Sequence, residues 1–371
     1  MKSLVLLGGG HAHVEVLKDL ALKPEPGVKV TLVTPYPWFT YSAMVPGLLA
    51  GHYDADQCAI DLTALADSAN AAVHFTQATL VNPEAREVIC ANSTVLAYDV
   101  LSINAGSSAF ATKVRGLEEH AIFMRPLELA VKGWNRVLSR ARDGGIGAVT
   151  LVGAGAAGVE LALAMEHRFR HELGSAAPHV RILTDASEPV PEFPWGARVR
   201  FRRRLARRGI GLHVDSRVVE IGADFVRTQH GHHFVSDAVF WTAGAAAHDW
   251  IRDSGFATDD RGFLLTNEFL QSVSHGEVFA VGDCATRAAS PLPKAGVFAV
   301  RAAPLLAANL RAAMAGAPLA PFVTRKAYLA LVSAGERYAV GVWSGLSWEG
   351  GWTWRVKDHI DRKFMARYAA G

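Results

Sequence analysis

Two glycine turns are where this sequence could do chemistry. In AVTLVGAGAAGVELALAM, Gly153, Gly155 and Gly158 stand in G-x-G-x-x-G spacing between an apolar run, Val149 to Val152, and a helical pattern. That spacing suits a diphosphate. Gly153 permits the tight turn, Gly155 lets the backbone approach the phosphates, and Gly158 lets helix press on strand. The first N–H groups of the helix then offer an anion site. The opening LVLLGGGHAH repeats the pattern with Gly8 and Gly10, but His13 stands where the third glycine would be. His11 and His13 either donate to a phosphate or fill the space a glycine leaves, and both roles stay open here. Two such turns in one chain point to two dinucleotide-binding domains.

Carboxylates at strand ends are the next candidates. VKVTLVT ends at Thr34 and Pro35, where an acid would normally meet the adenosine ribose, so that contact is either weaker or made by Thr34. HVRILTDAS ends near Asp185, which would hold a ribose hydroxyl, repel a 2′-phosphate and so favour NADH over NADPH. DAVFWTAGA is a buried strand running out at Gly244, and GEVFAVGDCA is another ending at Gly282 and Asp283. From position alone Asp283 is either a ligand contact or a helix N-cap. HGHH, residues 230 to 233, looks metal-like but falls in a hairpin turn without an acidic or cysteine partner nearby. It is expected to be solvated, and no metal is expected.

The elements needed to position these residues are strand–turn–helix units, so the fold class is α/β. At 371 residues the chain is long enough for two or three domains. Half the residues are apolar and the net charge is only +3, which gives no reason to expect nucleic acid as a partner. Cys58, Cys90 and Cys284 lie far apart, which argues against a disulfide framework or a dithiol centre and suits a reducing cytoplasm. The N-terminal apolar run is too short for a signal peptide. Residues 145–165 are long enough to span a bilayer but split into strand, turn and helix instead. RVRFRRRLARR carries seven arginines, expected to coat the exposed side of a helix whose buried face holds Phe201 and Leu205, with an anionic membrane surface as the sharper alternative. The C-terminal WEGGWTWRVKDHIDRKFMARY mixes aromatics and bases like an interfacial helix, or like a cap over a cofactor.

In this order, the pieces resemble the pyridine nucleotide–disulfide oxidoreductase superfamily, and within it the type II NADH dehydrogenase and sulfide:quinone reductase branch. A closer resemblance, carried by GGGHAHVEVL, YSAMVPGLLAGHY, LPKAGVFAVRAAPLLAANL and WRVKDHIDRKFM, is to the oxidoreductase module found fused ahead of selenide, water dikinase; no kinase module follows before Gly371. The resemblance implies two Rossmann-like domains. FAD would be held by residues 1–117 and 263–323 and NAD(P)H by residues 118–262, with residues 324–371 as a C-terminal extension that caps the flavin or serves as a membrane or dimer element. It places Gly8, Gly10, Pro46, Ala105, Gly106, Gly282, Asp283, Gly296 and Val297 around FAD, and Gly153, Gly155, Gly158, Asp185 and Gly244 in the nucleotide sites. It puts Glu160 near nicotinamide and flavin, and Lys294 where a cation would stabilise reduced flavin. The alternatives are a first-turn acid favoured by the helix dipole for Glu160 and a solvent-exposed lysine for Lys294.

Departures limit the reading. The redox cysteine pair of the disulfide reductases is absent, as are the flavin-facing cysteines of sulfide:quinone reductases. The A-Q-x-A-x-Q of type II dehydrogenases is replaced by Gly296, Val297, Phe298, Ala299, Val300 and Arg301. The expectation is an FAD-dependent NAD(P)H dehydrogenase that passes electrons to a quinone or other small acceptor. Oxidation of a sulfur or selenium compound and a flavin-binding redox sensor are the alternatives. A cytoplasmic location, with peripheral membrane contact and a homodimer left open, completes the expectation.

Overall fold

Strand Lys2–Leu7 is buried from Leu4 onward, and a strand covered on both faces belongs in the middle of a sheet. In the computed structural model, which describes residues 1–108 and 114–368, that is its place. The first sheet runs Val278–Ala280, Val100–Ile103, Lys2–Leu7, Val28–Thr34, Ala71–Phe75, all parallel. The chain winds outward from the first strand in both directions, so a crevice opens beyond the carboxyl ends of Lys2–Leu7 and Val100–Ile103. The second sheet repeats the plan with Ala121–Phe123, Ala238–Trp241, Ala148–Val152, His179–Leu183 and Gly211–His213. Its crevice lies beyond Ala148–Val152 and Ala238–Trp241.

Residues 145–165 divide between the strand Ala148–Val152 and the helix Ala156–Leu173. The helix Gly296–Ala315 is long and apolar enough to cross a membrane, yet half of it is buried and its Leu306 and Leu310 pack in the same core as Val16 and Leu17 of helix His11–Leu22.

The C-terminal segment is a three-stranded antiparallel meander, Ala330–Ala334, Glu336–Trp343 and Leu346–Gly350, followed by helix Gly351–Ala366. It binds both domains. Val332, Ala334, Val340 and Val342 enter the core of the second, while Trp354 and Phe364 enter the core of the first.

The arginine run needs correction. Helix Trp195–Arg207 buries Phe201 and Leu205 as its period requires, and Arg202, Arg203 and Arg207 face solvent. Three others do not coat the surface. Arg200 donates to Glu349 at 3.0 Å, Arg204 pairs with Glu336 at 2.9 Å and lies 3.7 Å over the Tyr338 ring, and Arg208 bonds Glu166 at 2.6 Å. The run clamps the C-terminal meander to the second domain because acids brought in from far along the chain face it.

Candidate functional site

In the first turn the glycines are demanded by one residue. Gly8 has φ +95°, and a Cβ there would stand 2.5 Å from the Asn104 carbonyl oxygen; a Cβ on Gly10 would collide with Asn104 Oδ1. That Oδ1 accepts the Ala12 N–H at 3.0 Å, and Asn104 Nδ2 donates to the Val281 carbonyl at 2.7 Å. Gly282, at φ +84°, would bring a Cβ within 2.7 Å of the same Nδ2. A single buried asparagine thus ties together the opening turn, the end of Val100–Ile103 and the Gly282–Asp283 step. Nothing in local spacing marks it; its sequence signal was only its place just past a buried strand.

His13 is fully buried, with Nδ1 2.5 Å from the Gly8 carbonyl and Nε2 2.8 Å from Ser102 Oγ. A carbonyl only accepts, so the proton sits on Nδ1, and Nε2 accepts the Ser102 hydroxyl. Burial lowers its pKa to about 4, leaving a neutral ring with both nitrogens spent inside the fold. His11 also has its pKa lowered to about 4 by burial. Its ring packs edge-on to Phe39 at 4.7 Å and to Tyr41 at 5.7 Å, and lies 3.3 Å from where a Cβ on Gly296 would be. The starts of helices His11–Leu22 and Gly296–Ala315, with Val297 in the latter's first turn, are therefore neighbours. Thr34 is buried, and its hydroxyl lies 3.2 Å from a Cβ placed on Gly9, which sets Thr34 beside the turn. Pro46 is buried in the short helix Val45–Leu49.

The second turn is built alike. Gly153 has φ +111°, a Cβ on Gly158 would collide with the Gly153 carbonyl, and Thr242 Oγ1 crowds both positions at 2.8 Å. Asp185 is exposed just past strand His179–Leu183. Gly106 and Gly244, both at positive φ, lie on loops joined where Ser108 and Ala246 exchange backbone hydrogen bonds at 2.8 Å; His248 Nε2 lies 3.2 Å from the Ala105 carbonyl.

Between the two turns lies a charged cluster. Glu160 Oε1 accepts the Ser333 N–H at 2.6 Å, and burial pushes its carboxyl up to about 7 against the pull of Lys357 and that hydrogen bond. Lys357 Nζ donates to the Ala43 carbonyl and to Asp361 Oδ2, both at 2.6 Å, and Tyr41 lies stacked on Phe364 at 4.3 Å. Asp283 pairs with Arg125 at 3.4 Å, and Arg125 also donates to Ser107. Lys294 Nζ donates to the Ala285 carbonyl at 2.6 Å and to Thr286 Oγ1 at 3.0 Å, with the Phe263 ring 3.7 Å away. Two of its three donors are spent locally. Neither Arg125 nor the Lys357–Asp361 pair is legible from motif spacing. His230, His232 and His233 are exposed at the hairpin between Phe225–Thr228 and His233–Val235.

Both turns fit a dinucleotide: bare backbone, positive φ and a helix start stand at the switch point of each parallel sheet. Comparisons with known proteins agree. The model of the pyridine nucleotide-disulphide oxidoreductase family matches residues 2–303. A probable NADH dehydrogenase of Dictyostelium discoideum is 23% identical over 313 residues, covering 76% of this chain and 68% of that protein. An external alternative NAD(P)H-ubiquinone oxidoreductase of Solanum tuberosum is 22% identical over 328 residues, 77% of this chain, and the match spans only 55% of the potato protein. The sulfide:quinone oxidoreductase structure from Aquifex aeolicus superposes with TM-score 0.82 at 18% identity, covering 99% of this chain and 91% of that one. The chain belongs to the pyridine nucleotide-disulphide oxidoreductase family.

Proposed function

We propose that this chain is an FAD-dependent NAD(P)H dehydrogenase that passes electrons to a quinone or another small acceptor. The observation that carries the reading is the pair of glycine cradles at the switch points of two parallel sheets, with the half-buried Glu160 just after the second and facing Ser333 and Lys357 of the C-terminal segment. Bound here, FAD would supply the acceptor for a nicotinamide hydride and the carrier for onward electron transfer. The protein's share is alignment and charge. Gly8, Gly10 and the start of helix His11–Leu22 receive the FAD diphosphate, and Asp283, held by Arg125, meets the sugar chain. The start of helix Gly296–Ala315, at Gly296 and Val297, offers N–H groups to negative charge on the flavin. Gly153, Gly155 and Gly158 take the donor's diphosphate, with Asp185 on its ribose. Glu160, with Oε1 bonded to Ser333, exchanges a proton at Oε2 near neutral pH.

The quinone reading rests on the company the chain keeps, because the relative from potato is named as a ubiquinone oxidoreductase. The sulfur reading finds no thiol to use. Cys58, Cys90 and Cys284 are buried, and burial pushes Cys58 up to about 12 and Cys284 up to about 11, which suppresses the thiolate. Mass spectrometry of the released cofactor, with turnover assays on NADH plus a soluble quinone and on sulfide plus quinone, tests the proposal. FAD and NADH-dependent turnover support it. FMN, or turnover with sulfide alone, overturns it.

Membrane contact belongs to the same reading. Trp352, Val356 and Ile360 line one face of helix Gly351–Ala366 at 41–56% exposure, and Trp343 and Leu346 of the adjoining hairpin are also exposed. Arg355 and Lys363 are exposed on the same helix. An apolar ridge with basic residues beside it suits the cytoplasmic face of an anionic membrane. Flotation with anionic vesicles is expected, and Trp352→Ser with Ile360→Ser abolishes it. Dimerisation through the ridge without flotation contradicts this placement.

A further inference from the structure

Glu192 lies where the donor's diphosphate belongs. Its Oε1 accepts the backbone N–H of Ala156, the first residue of helix Ala156–Leu173, at 2.8 Å. The same oxygen stands 3.7 Å from where a Cβ on Gly155 would be, at the glycine whose bareness lets a diphosphate approach. The loop carrying Glu192 is pinned onto the turn. Val190 N–H donates to the Ala154 carbonyl at 2.7 Å, and Phe193 N–H closes back on the Val190 carbonyl at 2.9 Å. Val190 is fully buried at φ +47°, a left-handed conformation that a β-branched residue adopts only under strain. Tyr328 packs edge-on to Phe298 in the helix Gly296–Ala315 at 5.5 Å, and burial together with the nearby Glu192 charge raises the pKa of its hydroxyl. A helix start attracts an anion, and here the fold supplies its own.

We propose that Glu192 is an internal occupant of the donor's diphosphate site, which sets the affinity for NAD(P)H and selects against diphosphate-bearing donors relative to phosphate-free ones. This rests on the reading of Gly153 to Gly158 as the donor site. A dinucleotide must expel the carboxylate before its phosphates reach the Ala156 N–H, whereas a reduced nicotinamide riboside has no phosphate to compete. Glu192 is thus a specificity residue and takes no part in hydride transfer.

The test uses the FAD-loaded full chain and ADP-ribose, a redox-inert probe of the diphosphate site, titrated calorimetrically. In Glu192→Gln and Glu192→Ala the dissociation constant is expected to fall by about 3- to 10-fold, the size of a lost capping interaction. KM for NADH falls in parallel, while KM for reduced nicotinamide riboside stays put. FAD content and thermal midpoint, measured on the same samples, show that the variants are folded. An ADP-ribose affinity unchanged or weakened in both variants overturns the proposal, as does an equal gain with the riboside. If ADP-ribose binds none of the three proteins, the donor-site reading itself fails, and the proposal with it.

Discussion

Both nitrogens of His13 are occupied by its own chain, which changes what a substitution there should do. Leucine fills the same space but leaves the Gly8 carbonyl and the Ser102 hydroxyl without the ring. His13→Leu should therefore cost about 1–3 kcal/mol, the penalty for stranded buried polar groups. Urea unfolding measures this, and a variant as stable as the parent refutes it. Glu160 makes a pH-dependent counterpart. Its folded carboxyl titrates at about 7 against 4.5 when free, so ionisation is penalised only in the folded state. Below about pH 4.5 the group is neutral in both states; between about 4.5 and 7 the unfolded chain ionises while the folded one stays neutral, so stability falls across that window and the full cost is in place above 7. Glu160→Gln should match the parent in acid and exceed it by about 1–3 kcal/mol above pH 7. A stability difference independent of pH contradicts the assignment. At this scale the sequence was readable where spacing encodes chemistry, at Gly8, Gly10 and Gly153 to Gly158. It was silent about Asn104 and Arg125, whose partners are set by sheet order rather than by neighbours along the chain.

The C-terminal helix shows how an element's period can be legible while its orientation is not. Aromatic and charged residues are mixed along Gly351–Ala366, a composition that suits an interfacial helix or a cofactor cap without saying which residues face inward. The structure buries Trp354, Lys357, Asp361 and Phe364 and exposes Trp352, Val356 and Ile360. Lys357 can be inside because it finds Asp361 one turn on and the Ala43 carbonyl across the domain boundary, 314 residues away in sequence. Removing one member leaves the other as an unpaired buried charge, so Lys357→Met should destabilise by about 3–5 kcal/mol. The double replacement Lys357→Met, Asp361→Leu should recover most of that loss, since an apolar pair of similar volume replaces a buried ion pair at little cost. Thermal denaturation of the three proteins decides it; equal losses in single and double variants argue against a buried pair. The arginine helix teaches the same lesson. Phe201 and Leu205 announced its inner face, but the acids that recruit Arg200, Arg204 and Arg208 come from Glu166, Glu336 and Glu349.

The molecule as a whole is two copies of one architectural idea, and that was the most legible part of the sequence. The two strands that open the G-x-G turns, Lys2–Leu7 and Ala148–Val152, each sit at the centre of a five-stranded parallel sheet, as their buried residues require. What could not be read was how the C-terminal meander and helix bind the copies together, since their contacts cross both domains. The arrangement predicts an intramolecular redox pair: a donor at the second cradle and a flavin at the first, with Cys58, Cys90 and Cys284 all buried. An anaerobic titration of the purified, FAD-loaded chain with NADH, followed at the flavin absorbance, tests this most directly. Full bleaching at one equivalent of NADH is expected, with NADPH slower because Asp185 opposes its 2′-phosphate. A flavin that stays oxidised in excess NADH and NADPH, yet bleaches with sulfide, would contradict it.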